Sequence, residues 1–246
     1  MHKKNDDGQW PRLALVFGAG GGIGGGLCRA LAARGVEVWG GSRGAAADLP
    51  PQVRPFAFDI DREDTIAALA ARLEGREPDL VLVASGVLTL ADGAGPERSF
   101  RAVDARVMAR VLHLNTIGPA LVARHILPLL PRRRRAMFAA LSARVGSIGD
   151  NRLGGWHSYR ASKAALNMLL KNFAIELART HPQAVVAGLH PGTVDTGLSA
   201  PFRKGLPDGQ LTDPDTCAAN LLAVCERLRP EHSGAVFDWR GERVPD

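Results

Sequence analysis

Short apolar runs alternate along the chain with longer stretches of helical pattern. Apolar runs with little polar alternation predict strands that are buried on both faces. Seven such runs are predicted as strands: Leu13–Phe17, Val36–Gly40, Arg54–Phe58, Leu80–Ala84, Met137–Leu141, Val185–Leu189 and Ala235–Trp239. The predicted helices lie between them, over Gly22–Arg34, Arg62–Leu73, Ala102–Leu130, Ser158–Thr180 and Pro214–Arg227.

This alternation predicts the fold class. Strands that alternate with helices form βαβ units, and right-handed crossovers then give a parallel sheet. We expect an α/β fold, a Rossmann-type doubly wound parallel sheet of about seven strands with helices on both faces, in a single domain over residues 1–246. Residues 1–11 are predicted to form a flexible N-terminal tail.

The segment from Thr196 to Thr212 has no clear element. It is rich in Gly, Pro and Ser, which predicts a mobile loop or lid that shapes a substrate pocket. Trp156, His157 and Phe202 are candidates to line that pocket, although for each of them an ordinary packing or surface role is favoured over the pocket.

Composition narrows the class of protein. With 46% hydrophobic residues the chain can bury a large core, and no apolar run reaches the ~20 residues of a membrane helix. The first apolar run leads into glycines, so we interpret it as a strand and not a signal peptide. The three cysteines, Cys28, Cys217 and Cys225, have no metal-ligand spacing. We expect reduced thiols, no metal site and a cytoplasmic location.

The net charge of +6 raises the question of an anionic partner. The densest basic run is Arg132–Arg135, and no aromatic residues interleave with it as a single-strand binder requires. We interpret the run as a solvated turn and expect no nucleic-acid or membrane partner. A basic surface also suits a cofactor that carries phosphate.

A glycine-rich turn follows the first predicted strand and opens the first predicted helix. Its sequence contains Gly18, Gly22, Ile23 and Gly24 in the pattern G-x-x-x-G-I-G. Such a turn lets backbone N–H groups approach a pyrophosphate at the positive end of a helix. A turn that is merely flexible is the alternative.

The ends of the second and third strands bear on the choice of cofactor. An acidic side chain after the second strand would bind the adenosine ribose, but this chain has Ser42 and Arg43 there. Arginine suits a phosphate, so NADP(H) is favoured over NAD(H); an ordinary surface role for Arg43 is the alternative. Asp59 and Ile60 are candidates to flank the adenine, and an acidic residue that merely begins a loop is equally consistent with Asp59.

Tyr159 and Lys163 are the candidate catalytic pair. They are four residues apart in a predicted helix, so the phenol and the ammonium share one helix face. A nearby ammonium lowers the pKa of a phenol from about 10, and carbonyl reduction needs an acid that protonates the developing alkoxide. A surface pair is the alternative, but Tyr159 is the only tyrosine in the chain.

Asn115 lies in a predicted helix four residues before Pro119. Proline has no N–H, so the Asn115 carbonyl loses its usual helical partner, and the Gly118–Pro119 pair should bend the helix. A freed carbonyl could hold a water beside Lys163, whereas a simple kink explains the same spacing.

In this order the motifs resemble the short-chain dehydrogenase/reductase family. The matching residues span about 12 to 240 and are Gly18-x-x-x-Gly22-Ile23-Gly24, Asp59, Gly86, Asn115, Tyr159-x-x-x-Lys163 and the run Pro191, Gly192, Thr193, Val194, Asp195, Thr196. Gly146-Ser147-Ile148, the run from Tyr159 to Asn167 and His190-Pro191-Gly192-Thr193 look closest to the sniffer-like carbonyl reductases and the bacterial C-factor group.

The resemblance implies a role for each matching residue. Tyr159 would donate the proton, Lys163 would bind the nicotinamide ribose and lower the tyrosine pKa, and Asn115 would hold a relay water. Gly86 would let the cofactor pass over the fourth strand. Pro191 and Gly192 belong to the same cofactor site, and Val194 and Thr196 would meet the nicotinamide carboxamide. Family members are commonly dimers or tetramers, so we expect a homodimer or homotetramer packed through the helices of Asn115 and Tyr159.

Three departures from the family pattern affect the expected activity. Phe17 replaces the usual Thr, Val83-Ala84-Ser85-Gly86 replaces Asn-Asn-Ala-Gly, and Ala143 replaces the usual catalytic serine. A missing carbonyl-polarising donor typically costs about 100- to 1000-fold in rate; Ser147 and Ser142 are the candidate substitutes. We therefore expect an NADPH-dependent reductase of an aldehyde or ketone substrate, reversible toward the alcohol. The alternative is an NADP-binding protein with weak or no turnover that acts in signalling or regulation.

Overall fold

The computed structural model describes residues 10–44, 49–200 and 211–246. Its centre is a sheet of seven strands, which are β1 Leu13–Phe17, β2 Glu37–Ser42, β3 Arg54–Ala57, β4 Leu80–Val83, β5 Ala136–Leu141, β6 Ala184–His190 and β9 Val236–Asp238. All of them are paired in parallel, in the order β3-β2-β1-β4-β5-β6-β9. The other two, β7 Thr193–Val194 and β8 Leu211–Thr212, form a small parallel pair beside the sheet.

Helices cover both faces of the sheet. The main helices are α1 Gly22–Ala33, α2 Glu63–Arg72, α3 Ala105–Leu112, α4 Gly118–Ile126, α5 His157–Ala178 and α6 Pro214–Arg227. Leu31 of α1 and Leu221 of α6 belong to one apolar cluster, on one face of the sheet. Ile126 of α4 and Leu170 of α5 belong to a second cluster, on the opposite face. The predicted doubly wound α/β fold and its seven strands are confirmed.

The long helix predicted over Ala102–Leu130 is wrong as a single element. The structure divides it into α3, a π-helical turn over His113–Ile117, α4 and a final 3₁₀ turn over Leu127–Leu129. Pro119 removes one backbone donor, and a π turn absorbs the resulting mismatch in register. The regular α-helical pattern is thus interrupted at Asn115, close to the Gly118–Pro119 pair where a bend was predicted.

The N-terminal end of the chain and the basic run also differ from prediction. Residues 1–9 lie outside the described residues, but Trp10 and Pro11, predicted as tail, are half-buried and buried. The guanidinium of Arg135 lies 3.9 Å from the centre of the Trp10 ring and donates to three carbonyls at the end of α6. Arg134 pairs with the buried Asp79 at 2.7 Å. Two of the four arginines in the basic run, Arg134 and Arg135, are therefore held in place by contacts within the fold.

The loop from Thr196 to Thr212 is only partly described. Ser199 is buried and donates to the carbonyl oxygens of Val194 and Thr196, so the loop begins as a tight turn. Its end is β8. Phe202, one of the candidate pocket residues, lies outside the described residues.

None of the helices in the described part of the chain has the length and apolar character needed to cross a membrane. Cys28, Cys217 and Cys225 are buried and free.

Candidate active site

The glycine turn is shaped by close approaches that only glycine allows. Gly18 has φ of +93°, and a Cβ there would lie 2.8 Å from the backbone nitrogen of Ser85, just after β4. A Cβ on Gly24 would lie 2.1 Å from the Gly18 carbonyl oxygen, and one on Gly22 would lie 2.8 Å from Thr196. The turn thus brings β1, β4 and the loop after β6 together at the start of α1.

A cavity of about 1140 Å³ opens at this edge of the sheet. Its size suits a cofactor-sized ligand. Most of the residues predicted from the glycine turn and the strand ends line it: Gly18, Gly22, Ser42, Arg43, Asp59, Ile60 and Gly86. Ile23 and Gly24 lie behind the lining residues, where Ile23 packs against the core and Gly24 against Gly18.

Three arginines among the described residues line the cavity, and they differ in their partners. Arg29 donates to Asp215, and Arg110 forms an ion pair with Asp61. The Asp61 pKa falls to about 2, chiefly through its hydrogen bond from Arg110. Arg43 is exposed and has no ion-pair partner among the residues that the structure describes. It is therefore the cavity arginine whose charge is available to a ligand.

Two buried hydroxyls in the cavity wall fit a polar ligand. Ser85 and Thr89 line the cavity, and neither side-chain oxygen has a hydrogen-bond partner among the described residues. A buried hydroxyl without a partner is costly, and a bound ligand can supply that partner. The glycine cradle and these hydroxyls together fit a bound dinucleotide.

Lys163 is buried where α5 packs against the end of β5. Its ammonium donates to the Leu141 carbonyl oxygen at 2.8 Å and lies 5.7 Å from the centre of the Tyr159 ring. A Cβ on Gly86 would lie 3.6 Å from the same ammonium and 3.1 Å from Oδ1 of Asn115. The structure therefore brings Tyr159, Lys163, Asn115 and Gly86 together, beside the Gly86 end of the cavity.

Burial changes the acidity of both members of the pair. It raises the pKa of Tyr159 to about 12 and lowers the pKa of Lys163 to about 8. In both cases removal from water disfavours the charged form. Burial thus shifts the Tyr159 pKa in the direction opposite to the lowering expected from the nearby ammonium.

Asn115 connects α5 to the loop after β4. It is fully buried in the π-helical turn; its Oδ1 accepts from the Val87 N–H and its Nδ2 donates to the Val87 carbonyl, both at 2.8 Å. Nδ2 also lies 3.1 Å from the Ser162 hydroxyl, on the residue before Lys163. The prediction concerned the backbone carbonyl of Asn115. In the structure it is the Asn115 side chain that joins the loop after β4 to α5.

Both candidate substitute serines form hydrogen bonds to groups other than Tyr159. Ser142 donates to Oδ1 of Asn167 on α5 at 2.6 Å. Ser147 accepts from the Asp150 N–H at 3.0 Å and is directed to the Asp246 carbonyl oxygen at 3.4 Å. Ala143, at the family's serine position, is buried and offers no hydroxyl. Neither serine makes a hydrogen bond to Tyr159 among the described residues.

The predicted nicotinamide-side residues lie on the loop after β6, beside the glycine turn. Gly192 has φ of +75° and packs against Trp239, while the Pro191 carbonyl accepts a weak bond from Cys217 at 3.8 Å. Val194 is buried in β7, and Thr196 contacts the position of Gly22. These four residues do not line the described cavity wall; they flank it from the α6 side.

Two further residues lie near the catalytic pair: Trp156, predicted only as a candidate to line the substrate pocket, and Glu97, which the prediction missed. Trp156 has φ of 52°, a left-handed conformation rare for a bulky residue, and its ring contacts Tyr159 edge-on at 6.3 Å. Glu97 is a buried carboxylate that accepts hydrogen bonds from Ser158, next to Tyr159. Trp156 had a sequence signal, its place after Gly154 and Gly155, whereas the position of Glu97 in a loop gave none.

The chain is similar in sequence to known proteins. Residues 12–207 match the short chain dehydrogenase family. The 1-hydroxy-2-glutathionyl-2-methyl-3-butene dehydrogenase of Rhodococcus sp. (strain AD45) is 35% identical over 225 residues, which cover 89% of this chain and 93% of that protein. The C-signal protein of Myxococcus xanthus is 39% identical over 144 residues, covering 58% of this chain and 81% of that protein.

Solved structures show the same fold. The carbonyl reductase Sniffer of D. melanogaster superposes with a TM-score of 0.82 at 23% identity, covering 96% of this chain and 99% of that one. An NADPH-bound carbonyl reductase from chicken fatty liver superposes with a TM-score of 0.80 at 26% identity, covering 96% and 94%.

Proposed function

We propose that this chain, which belongs to the short-chain dehydrogenase/reductase family and is an NAD(P)-dependent oxidoreductase, reduces an aldehyde or ketone with NADPH. The observation that carries the proposal is the meeting of Tyr159, Lys163 and Gly86 beside a cavity floored by the glycine turn. A proton donor and a cofactor-sized cavity are the two parts that carbonyl reduction requires.

The proposed chemistry divides between the cofactor and the chain. A bound nicotinamide cofactor supplies the hydride. Tyr159 donates its phenolic proton to the carbonyl oxygen of the substrate, and its burial keeps that proton in place until an alkoxide develops. Lys163, held by the Leu141 carbonyl, presents its ammonium toward the phenol and stabilises the resulting phenolate. Asn115 keeps the loop after β4 against α5 and so fixes the distance between these groups.

The preference for NADPH rests on Arg43. It lies on the cavity wall after β2, is exposed and lacks an ion-pair partner in the described structure, whereas Arg29 and Arg110 are paired. A guanidinium binds phosphate in bidentate geometry, which suits the additional phosphate of NADPH. The NADPH-bound relative from chicken supports the same choice.

The direct test is turnover on a panel of carbonyl compounds. We expect the purified chain to oxidise NADPH in the presence of an aliphatic or aromatic aldehyde or ketone, and to use NADH at least about tenfold less efficiently. For the reverse direction, the panel includes a primary alcohol that carries a glutathionyl thioether on the neighbouring carbon, because a relative is named for such a substrate. Tight NADPH binding with no oxidation on the whole panel would refute the reductase.

A second function is favoured by two observations. Ala143 removes the usual carbonyl-polarising hydroxyl, and the C-signal protein is among the relatives. An NADP-binding protein with weak or no turnover, acting in signalling or regulation, fits both. The same panel separates the two functions, since this alternative predicts cofactor binding without consumption.

We also propose that the chain assembles with copies of itself through the helices that contain Asn115 and Tyr159. Ile117, Met168 and Ile175 on these helices are large apolar side chains that are about half exposed or more. Such a patch is typical of an interface. Light scattering in solution tests this, and a monomer at high concentration would contradict it.

A further inference from the structure

The N-terminus of the catalytic helix lacks a cap from its own sequence. The N-cap residue of α5 is Trp156, whose side chain makes no capping hydrogen bond. The first N–H groups of a helix need partners from outside the helix, and Ser, Thr, Asp and Asn normally supply them. Tyr159 is the third residue of α5, so any fraying of this first turn moves the phenol directly.

A carboxylate from a distant loop supplies the missing cap. Glu97 is 6% exposed and lies in the connection between β4 and α3. One carboxylate oxygen accepts from the Ser158 N–H at 3.1 Å, and the other accepts from the Ser158 hydroxyl. Burial acts to raise the pKa of Glu97, but the hydrogen bonds from Ser158 outweigh it and hold the pKa below its ordinary value. Glu97 therefore faces the positive end of α5 as an anion.

The backbone of the same loop holds the strained residue that precedes the helix. The Trp156 N–H donates to the Glu97 carbonyl oxygen at 2.5 Å. A bulky residue in the left-handed region costs about 1–3 kcal/mol and persists only where its surroundings hold it. Gly154 and Gly155, with φ of 63° and 66°, complete the approach to the helix. The Trp156 ring that this backbone places meets the Tyr159 ring edge-on.

Tyr159 thus lies between two anchored neighbours. On one side Ser158 is fixed to Glu97, and on the other the Arg160 guanidinium donates to the carbonyls of Gly155 and Val145 at 3.1 and 3.2 Å. Of the two charged side chains that form these contacts, Glu97 is buried and Arg160 is half-buried.

We infer that Glu97 is a positioning residue, which caps the catalytic helix from a loop 61 residues upstream and fixes the orientation of Tyr159 through Ser158 and Trp156. Glu97 is not among the described residues that line the cavity. The inference rests on the proposed function only for its kinetic consequence. Its structural part concerns a phenol that is fixed in place whether or not the protein turns over.

The single tyrosine makes a test possible that does not depend on activity. Because Tyr159 is the only tyrosine of the chain, ring-labelled tyrosine gives one set of NMR signals, and the tyrosinate absorbance reports one ionisation. In the native protein we expect one narrow ring signal and a pKa of about 12. In Glu97→Ala we expect a broadened or shifted signal, and a pKa lower by about one unit as the ring gains solvent.

Matched variants separate the hydrogen bonds from the charge and from general stability. Glu97→Gln keeps an acceptor for the Ser158 N–H and a donor for its hydroxyl, so it should restore the native tyrosine signal. Asp104→Ala removes the carboxylate that caps α3, which accepts from Arg106 and Val107. Asp104→Ala should lower the melting temperature, because the loss of a helix cap costs about 1 kcal/mol. The NMR signal and the pKa of Tyr159 should stay unchanged in this variant.

The kinetic arm uses the holoenzyme with NADPH. Glu97→Ala should lower kcat about 10- to 100-fold through misplacement of the phenol, with NADPH affinity changed less than about twofold. Unchanged tyrosine signals and kcat in Glu97→Ala, or equal effects in Asp104→Ala, would overturn the inference. If Glu97→Ala does not fold, Ser158→Ala takes its place: it keeps the backbone hydrogen bond, and unchanged signals and kcat in that variant contradict the inference. A native protein without turnover would refute the proposed reductase, while the tyrosine signals would still decide the role of Glu97.

Discussion

The two ends of the cavity are built in different ways. At the Gly86 end, Lys163 and Asn115 are buried, and each is held by hydrogen bonds of 2.8 Å to backbone groups of a neighbouring segment. At the other end, Arg43 is exposed and lacks an ion-pair partner in the described structure, and the Ser42 hydroxyl is bonded to the nearby Gly44 carbonyl. One end is preorganised by burial, and the other depends on the exposed charge of Arg43, which has no ion-pair partner among the described residues.

This difference determines how each end should respond to substitution. Groups that are fixed before the ligand arrives lose little entropy on binding, so changes there act on the chemical step. An exposed arginine adds affinity and selectivity, and its loss should leave the catalytic groups where they are. Substitutions at the Gly86 end should therefore change kcat, and those at the Arg43 end should change cofactor affinity.

The largest gain is expected from restoring a hydroxyl at the buried end. Ala143→Ser adds a donor at the position of the family's catalytic serine, next to a site where Ser142 and Ser147 are engaged elsewhere. We expect kcat on the best carbonyl substrate to rise about 10- to 100-fold, because an oxyanion donor is worth up to about 1000-fold. Ala140→Ser, within the buried part of β5, is the control and should lower stability without raising kcat. An unchanged kcat in Ala143→Ser would show that the Gly86 end of the cavity already has a group that donates a hydrogen bond to the substrate carbonyl.

The exposed end is tested by Arg43→Ala. We expect the Kd for NADPH to rise about 10- to 100-fold and the Kd for NADH to change less than about twofold, because only NADPH carries the additional phosphate. The measurement is a pair of titrations by isothermal calorimetry. Arg29→Ala is the matched control, since Arg29 lines the same cavity but is paired with Asp215. Equal losses for both cofactors in Arg43→Ala would contradict its role at the phosphate.

A smaller effect, on stability, tests whether Lys163 is as buried as the comparison requires. The folded protein releases the Lys163 proton near pH 8, whereas the unfolded chain keeps it to about pH 10.5. Between these values the unfolded state binds more protons, so the contribution of Lys163 to folding rises with pH, by about 1–3 kcal/mol.

Denaturant unfolding at about pH 7 and about pH 10 measures this contribution as the difference between the native protein and Lys163→Met. That difference should shift by about 1–3 kcal/mol in favour of the native protein at the higher pH. Lys171→Met, an exposed position eight residues later on α5, should show no such shift. A flat difference for Lys163→Met would mean that the ammonium is solvated.

Local patterns predicted much of this site, and contacts between distant segments account for what they missed. Tyr159 and Lys163 share a helix, and the glycine turn is contiguous, so their spacing alone places them. The helix is interrupted at Asn115, four residues before Pro119, whose missing donor was the basis of the predicted bend. The bond from Ser142 to Asn167 spans 25 residues and the bond from Glu97 to Ser158 spans 61. Nothing in the local sequence distinguishes those carboxylates and hydroxyls from their many exposed counterparts.

The central claim is that the Tyr159 phenol delivers the proton at a site where the cofactor binds independently of it. Tyr159→Phe keeps the ring that meets Trp156 and removes only the hydroxyl. The measurement is kcat for NADPH-dependent carbonyl reduction together with the Kd for NADPH. We predict a loss in kcat of about 1000-fold or more with a Kd within about twofold of the native value. Retained turnover, or a parallel loss of NADPH binding, would contradict the account.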